Sequence, residues 1–193
     1  MAIRVRRLLM ILMVCVLGLC FSQVSSAYAS DKTNNNNSIS AKADLDQMTQ
    51  GITRHLKSNS QGVYFDEKAA IAARENERVI LAGRNFNLVV EYQKTNNFND
   101  SPTGEPYTYG VSIPVWGNWC GPGHSGPAAP KDTLDTLCMR HDKCYASRGY
   151  FDCACDAQLK AEIDRYAGRM GSKERAMAAA VKLAFSVGLC NPF

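Results

Sequence analysis

Between Phe21 and Trp119 the chain has no cysteine, although it has eight in all. That gap excludes a disulfide scaffold for the N-terminal half and confines covalent stapling to the C-terminal part. No apolar run is long enough to span a bilayer; the stretch from Leu8 to Phe21 stops short. Internal repeats are absent too, which excludes a solenoid. Charge of one sign is also scarce. The formal net charge is +4, but Arg4, Arg6 and Arg7 stand in the first 29 residues with no acid, and without them it falls to +1. The balance gives no ground for nucleic-acid binding, and attraction to an anionic membrane would need a local patch.

Those arginines precede the Leu8 to Phe21 run and then Ala27-Tyr28-Ala29. The order of basic, apolar and small residues predicts a secretory signal peptide over 1–29 and a secreted, extracellular product. A lipoprotein signal at Cys20 is disfavoured by the bulky Leu19 before it. Cleavage would remove Cys15 and Cys20 and leave Cys120, Cys138, Cys144, Cys153, Cys155 and Cys190. An even set in an exported chain points to disulfides, and six cysteines allow 15 pairings.

Composition then divides the remainder. Residues 30–43, with four consecutive asparagines, read as a disordered linker. Residues 44–104 read as an N-terminal segment of unknown role, small and α/β or helical, and 105–193 as the cysteine-bearing domain. Leu45, Met48, Ile52 and Leu56 recur at helical spacing. Asp66 to Leu81 predicts a helix stopped at Gly83, followed by a strand over Phe86 to Tyr92 and a loop over Asn96 to Pro106. Farther on, Leu134, Leu137, Cys138, His141, Cys144, Tyr145 and Arg148 make one helical stripe from Asp132, ending at Gly149. Asp152 caps a second helix reaching about Arg169, and the short connection makes the two antiparallel neighbours. A third, alanine-rich helix runs from Lys173 towards Val187.

Chemistry concentrates in Cys138-Met139-Arg140-His141-Asp142-Lys143-Cys144-Tyr145, where a base and a hard-cation ligand adjoin. Upstream, Trp119-Cys120-Gly121-Pro122-Gly123-His124 is a turn whose glycines let backbone carbonyls bend around an ion. Downstream, Cys153-Ala154-Cys155-Asp156 supplies a second carboxylate. If Cys144 pairs with Cys155, Asp156 sits roughly 3 Å along the axis from the position facing His141. Its carboxylate then orients one imidazole nitrogen and leaves the other to take a proton from water, with Tyr145 one turn away able to donate to the same acid. Asp142 is rotated about 100 degrees from His141 and faces the glycine turn. A structurally satisfied buried histidine is the plain reading of His141 taken alone; its neighbours favour a calcium-assisted hydrolase. A zinc site is the competing reading of Cys138-x-x-His141-x-x-Cys144, opposed by export and by ligands spread around the helix.

At these residues the chain resembles the calcium-dependent secreted phospholipase A2 family. Trp119 to Gly123 match its calcium loop, Leu134 to Tyr145 its active-site helix, and Cys153 to Asp156 the start of the opposing helix, within Trp116 to Leu159. The resemblance implies a mainly α fold: a disulfide-linked antiparallel helix pair with a calcium-binding loop and a further C-terminal helix. It implies His141 as base, Asp156 as its orienting partner, Tyr145 bonded to that aspartate, and the Gly121 N–H as an oxyanion donor. Calcium (Ca2+) would be held by main-chain oxygens of Trp119, Gly121 and Gly123 and by Asp142. Implied pairings are Cys120 with Cys138 and Cys144 with Cys155, leaving Cys153 with Cys190. The partner is a phospholipid membrane or micelle interface, for which Trp116, Trp119, Tyr150 and Phe151 are candidate insertion residues, with core packing as the equal alternative for these rings.

Departures are visible: Leu137 stands where many relatives carry a paired cysteine, and His124 where they have a second loop glycine. Two rivals keep other functions open. One is a non-catalytic binding protein or toxin component on the same scaffold, acting through protein partners; its signature would be a lost base or calcium ligand. In the other, residues 30–104 are the functional part, a pro-segment or delivery module with the enzyme as its cargo.

Overall fold

Six helices and a small hairpin share one hydrophobic core in the computed structural model, which describes residues 37–95, 113–187 and 190. The signal peptide, residues 30–36 of the linker, the Asn96 to Pro106 loop and the 104/105 boundary lie outside the described residues. The order is α1 (37–54), β1 (Leu56–Asn59), β2 (Gly62–Phe65), α2 (Glu67–Ala72), α3 (Glu77–Thr95), α4 (Thr133–Arg148), α5 (Cys153–Tyr166) with a short 3-10 turn Ala167–Arg169, and α6 (Ser172–Ala184). The fold is mainly α with three disulfides, as expected. The described residues from Ser40 onward belong to one compact unit. No described helix is long and apolar enough to cross a membrane.

Residues 37–43, expected at the end of the linker, are instead the first turns of α1. Leu45, Met48 and Ile52 follow at helical spacing and are fully buried, each contributing about 1.5 to 3 kcal/mol by leaving water. That gain holds a helix whose polar first turns would not form alone. Leu56, expected to continue the helix, instead opens β1, because the chain turns at His55. The hairpin pairs Leu56 with Phe65 and Asn59 with Gly62, and its turn is closed by Gln61 N–H donating to Asn59 Oδ1 at 2.8 Å.

Gly83 does not stop a helix, and Phe86 to Tyr92 is not a strand: both lie inside α3. Val79, Ala82, Phe86, Val89 and Val90 are buried at intervals of three and four, so helical burial overrides the β preference of this stretch. The reason for glycine is packing. A Cβ at Gly83 would stand 2.4 Å from the ring of buried Phe65, which the hairpin lays across the helix.

The N-terminal elements meet the C-terminal ones along α6, whose Ala176, Ala178, Ala179, Ala180 and Ala184 are all buried and let α3 and α5 approach closely. Asp44 on α1 fixes the crossing: it accepts from Arg78 of α3 at 3.0 and 3.1 Å and from Arg175 of α6 at 2.7 Å. Buried Glu174 joins α6 to α4 by accepting from Leu134 N–H at 2.8 Å and Gly171 N–H at 3.1 Å.

Candidate active site

The antiparallel pair α4 and α5 begins on side-chain caps. Asp132 accepts from Asp135 N–H and Asp152 from Ala154 and Cys155 N–H, while Gly149 closes α4. Cys144–Cys155 bonds the pair, Cys120–Cys138 ties the glycine turn to α4, and Cys153–Cys190 reaches the segment beyond α6. The first two are the pairings the family resemblance implied, and the third is the one left by elimination. They also correct the zinc reading, since no thiolate among these cysteines is left to bind a metal.

His141 and Asp156 meet in the interior, 6% and 1% exposed. Nε2 of His141 lies 2.9 Å from Asp156 Oδ1, and the Tyr145 hydroxyl donates to the same oxygen. An ionised carboxylate only accepts, so Nε2 carries the proton and Nδ1 a lone pair. Burial, then the bond to Asp156, holds the Tyr145 hydroxyl above its ordinary pKa and keeps it a donor. The other nitrogen, Nδ1, faces Asp142, whose Oδ1 is 3.9 Å away. The stripe predicted for α4 is buried except at Cys144, which is partly covered, and Arg148, which is exposed and pairs with Asp152 at 3.0 Å.

The glycine turn tied to α4 by Cys120–Cys138 is a tight antiparallel one. Ile113 N–H donates to Pro122 O at 3.1 Å, and Val115 and Trp116 N–H both donate to Cys120 O at 2.9 and 3.0 Å. Gly121 has φ of +150°, and a Cβ there would stand 2.0 Å from Ile113 O, so no other residue fits. The carbonyls of Asn118, Cys120 and Pro122 are engaged within the turn. Those of Trp119 and Gly123 accept no hydrogen bond among the described residues, and Gly121 O accepts one, from His124 N–H at 3.0 Å, leaving a second lone pair. Gly121 N–H likewise donates to nothing among the described residues.

Asp142 completes the set. Ser125, two residues past Gly123, has its hydroxyl near enough to favour the charged form, yet Oδ2 is buried with no hydrogen-bond partner among the described residues. Burial pushes the Asp142 pKa up to about 6, against the Ser125 hydroxyl and the His141 ring, which pull it down. An orphaned carboxylate oxygen and unengaged carbonyls are each of the hard-oxygen type a cation such as calcium accepts. Among the described residues no three His, Cys, Asp or Glu side chains converge as a metal cluster. A cation here would therefore rest on one carboxylate and main-chain oxygens.

Asp135, not among the site residues expected from the sequence, holds the glycine turn in place. Fully buried, it accepts from Asn118 N–H at 2.9 and 3.0 Å, Trp119 N–H at 2.8 Å and Lys131 N–H at 2.8 Å, which fixes the turn that aims those carbonyls. Its one sequence signal is an acid beside Leu134 on the inward stripe. Trp116 and Trp119, candidates for lipid insertion, are half-buried with indole N–H groups bonded to Asp132 Oδ2 and Ala128 O, both at 2.7 Å. Tyr150 is 47% exposed.

The chain is 50% identical over 44 residues to an acidic phospholipase A2 of Austrelaps superbus, a match covering 23% of this chain and 27% of that protein. It thus spans about a quarter of the length of the curated relative it matches. No family model matches the chain, and no solved structure matches it.

Proposed function

We propose that this protein is a secreted, calcium-dependent phospholipase A2 that hydrolyses the sn-2 ester of glycerophospholipids to a lysophospholipid and a free fatty acid. The carrying observation is His141, bound through Nε2 to buried Asp156 at 2.9 Å and open through Nδ1 towards Asp142. Asp156 and Tyr145 hold the ring in the tautomer a general base needs. His141 Nδ1 takes a proton from water as the water oxygen attacks the ester carbonyl, and returns it to the departing glycerol oxygen. Gly121 N–H, which donates to nothing among the described residues, would donate to the oxyanion. Trp119, Gly121 and Gly123 carbonyls and Asp142 would hold Ca2+, which supplies positive charge for the substrate phosphate and the developing oxyanion.

Three disulfides suit an oxidising, extracellular setting, and the basic, apolar and small-residue leader supports export. The substrate side is a membrane or micelle interface, with no role for nucleic acid. Fatty-acid release from sn-2-labelled phosphatidylcholine, with and without a calcium chelator, tests the reading. Release that the chelator abolishes is expected, and no release in excess calcium would overturn it.

A further inference from the structure

We propose that Phe185, at the end of α6, is a positioning residue for the His141 imidazole; the kinetic part of this inference rests on the function proposed above. A hydrogen bond at Nε2 pins one point of the ring but leaves it free to pivot, because the torsion joining an imidazole to its Cβ is soft. Two rings restrict that pivot. Tyr145 lies with its centroid 4.1 Å away, tilted at 55°, and Phe185 lies 4.7 Å away, edge-on at 65°. Tyr145 comes from the same helix as the base, one turn on, whereas Phe185 is delivered from a different element.

That element is anchored. Phe185 N–H donates to Val181 O at 3.1 Å, and its carbonyl accepts from Lys160 Nζ of α5 at 3.1 Å. Five residues later Cys190 is bonded to Cys153 at the start of α5. At its other end α6 caps α4 through Glu174. The segment carrying Phe185 is thereby fixed to both helices of the His141 and Asp156 pair. The family resemblance covers Trp116 to Leu159, so this contact lies outside it.

The test uses ¹⁵N-labelled full-length protein in chelator at about pH 8, where an ordinary imidazole is neutral. With only three histidines in the chain, long-range proton–nitrogen spectra resolve His141, identified by its loss in His141→Gln. Wild type is expected to show one protonated and one bare nitrogen, well separated. Phe185→Leu, which keeps an apolar side chain without a ring, is expected to draw the two signals together, and Phe185→Tyr to restore them. Unchanged His141 signals in Phe185→Leu would overturn the proposal.

In the hydrolysis assay Phe185→Leu is expected to lower kcat about tenfold with KM moved by less than about twofold, equally for short and long sn-2 chains, with Phe185→Tyr recovering most of the loss. A loss confined to long chains, or carried by KM, would make Phe185 a wall for the acyl chain and overturn the positioning role. If wild type releases no fatty acid in calcium, the phospholipase reading fails by itself, while the nitrogen signals still decide Phe185.

Discussion

Replacing Asp142 with asparagine is expected to stabilise the calcium-free protein while removing its response to calcium. Asp142 Oδ2 is buried without a partner among the described residues, and burial lifts the carboxyl from 3.8 to about 6. A carboxylate whose folded pKa lies above its unfolded value binds protons more tightly when folded. Stability is therefore lost as pH rises between the two values, and the full cost stands above about 6. A shift of about two units corresponds to about 3 kcal/mol at neutral pH and above. Asparagine keeps the shape without the charge, so most of that cost disappears. At about 2–4 °C per kcal/mol for a domain of this size, chelated Asp142→Asn is expected to melt several degrees above wild type at about pH 8. At about pH 4 the difference shrinks, because wild type is then mostly protonated. Adding calcium reverses the order: at a thousandfold excess over Kd wild type gains about 4.1 kcal/mol, more than the cost of about 3 kcal/mol, and the variant gains little. Differential scanning calorimetry with and without chelator reads both effects. A variant that melts below wild type in chelator and gains as much from calcium would refute the reasoning.

Two further outcomes follow from the packing. Asp135→Ala leaves the N–H groups of Asn118, Trp119 and Lys131 without their shared acceptor; at about 1–3 kcal/mol for each unsatisfied group, a loss of several kcal/mol in urea unfolding is expected, with weaker calcium binding by titration calorimetry. Deleting residues 37–95 uncovers the alanine face of α6 and breaks the Asp44 pairs to Arg78 and Arg175; a product that loses cooperative melting is expected, and a folded, more active product would instead make that segment a removable pro-segment.

What the sequence made legible follows local rules. Asp132, Gly149 and Asp152 cap α4 and α5, and capping is decided within a few residues. The meeting of His141 with Asp156 could be read because a single bridge sets the register of two antiparallel helices. The errors share a distant cause. Gly83 looks like a stop until Phe65 arrives from a hairpin to occupy the missing side chain's place. Phe86 to Tyr92 carries strand-forming residues, and only burial against the rest of the core selects the helical period. Asp135 looks like an ordinary acid in a first helical turn, because its backbone donors come from a turn about 16 residues upstream. Phe185 falls within the alanine-rich helix expected from Lys173 towards Val187, and its contact with His141 depends on where α6 is docked.

Fatty-acid release by calcium-saturated His141→Gln tests the central claim most directly. The Asp142 carboxylate and the glycine turn are untouched in that variant, so it is expected to bind calcium as wild type does and to release nothing above the uncatalysed background. Release near the wild-type rate would contradict the account, because the imidazole held by Asp156 would then not be the base.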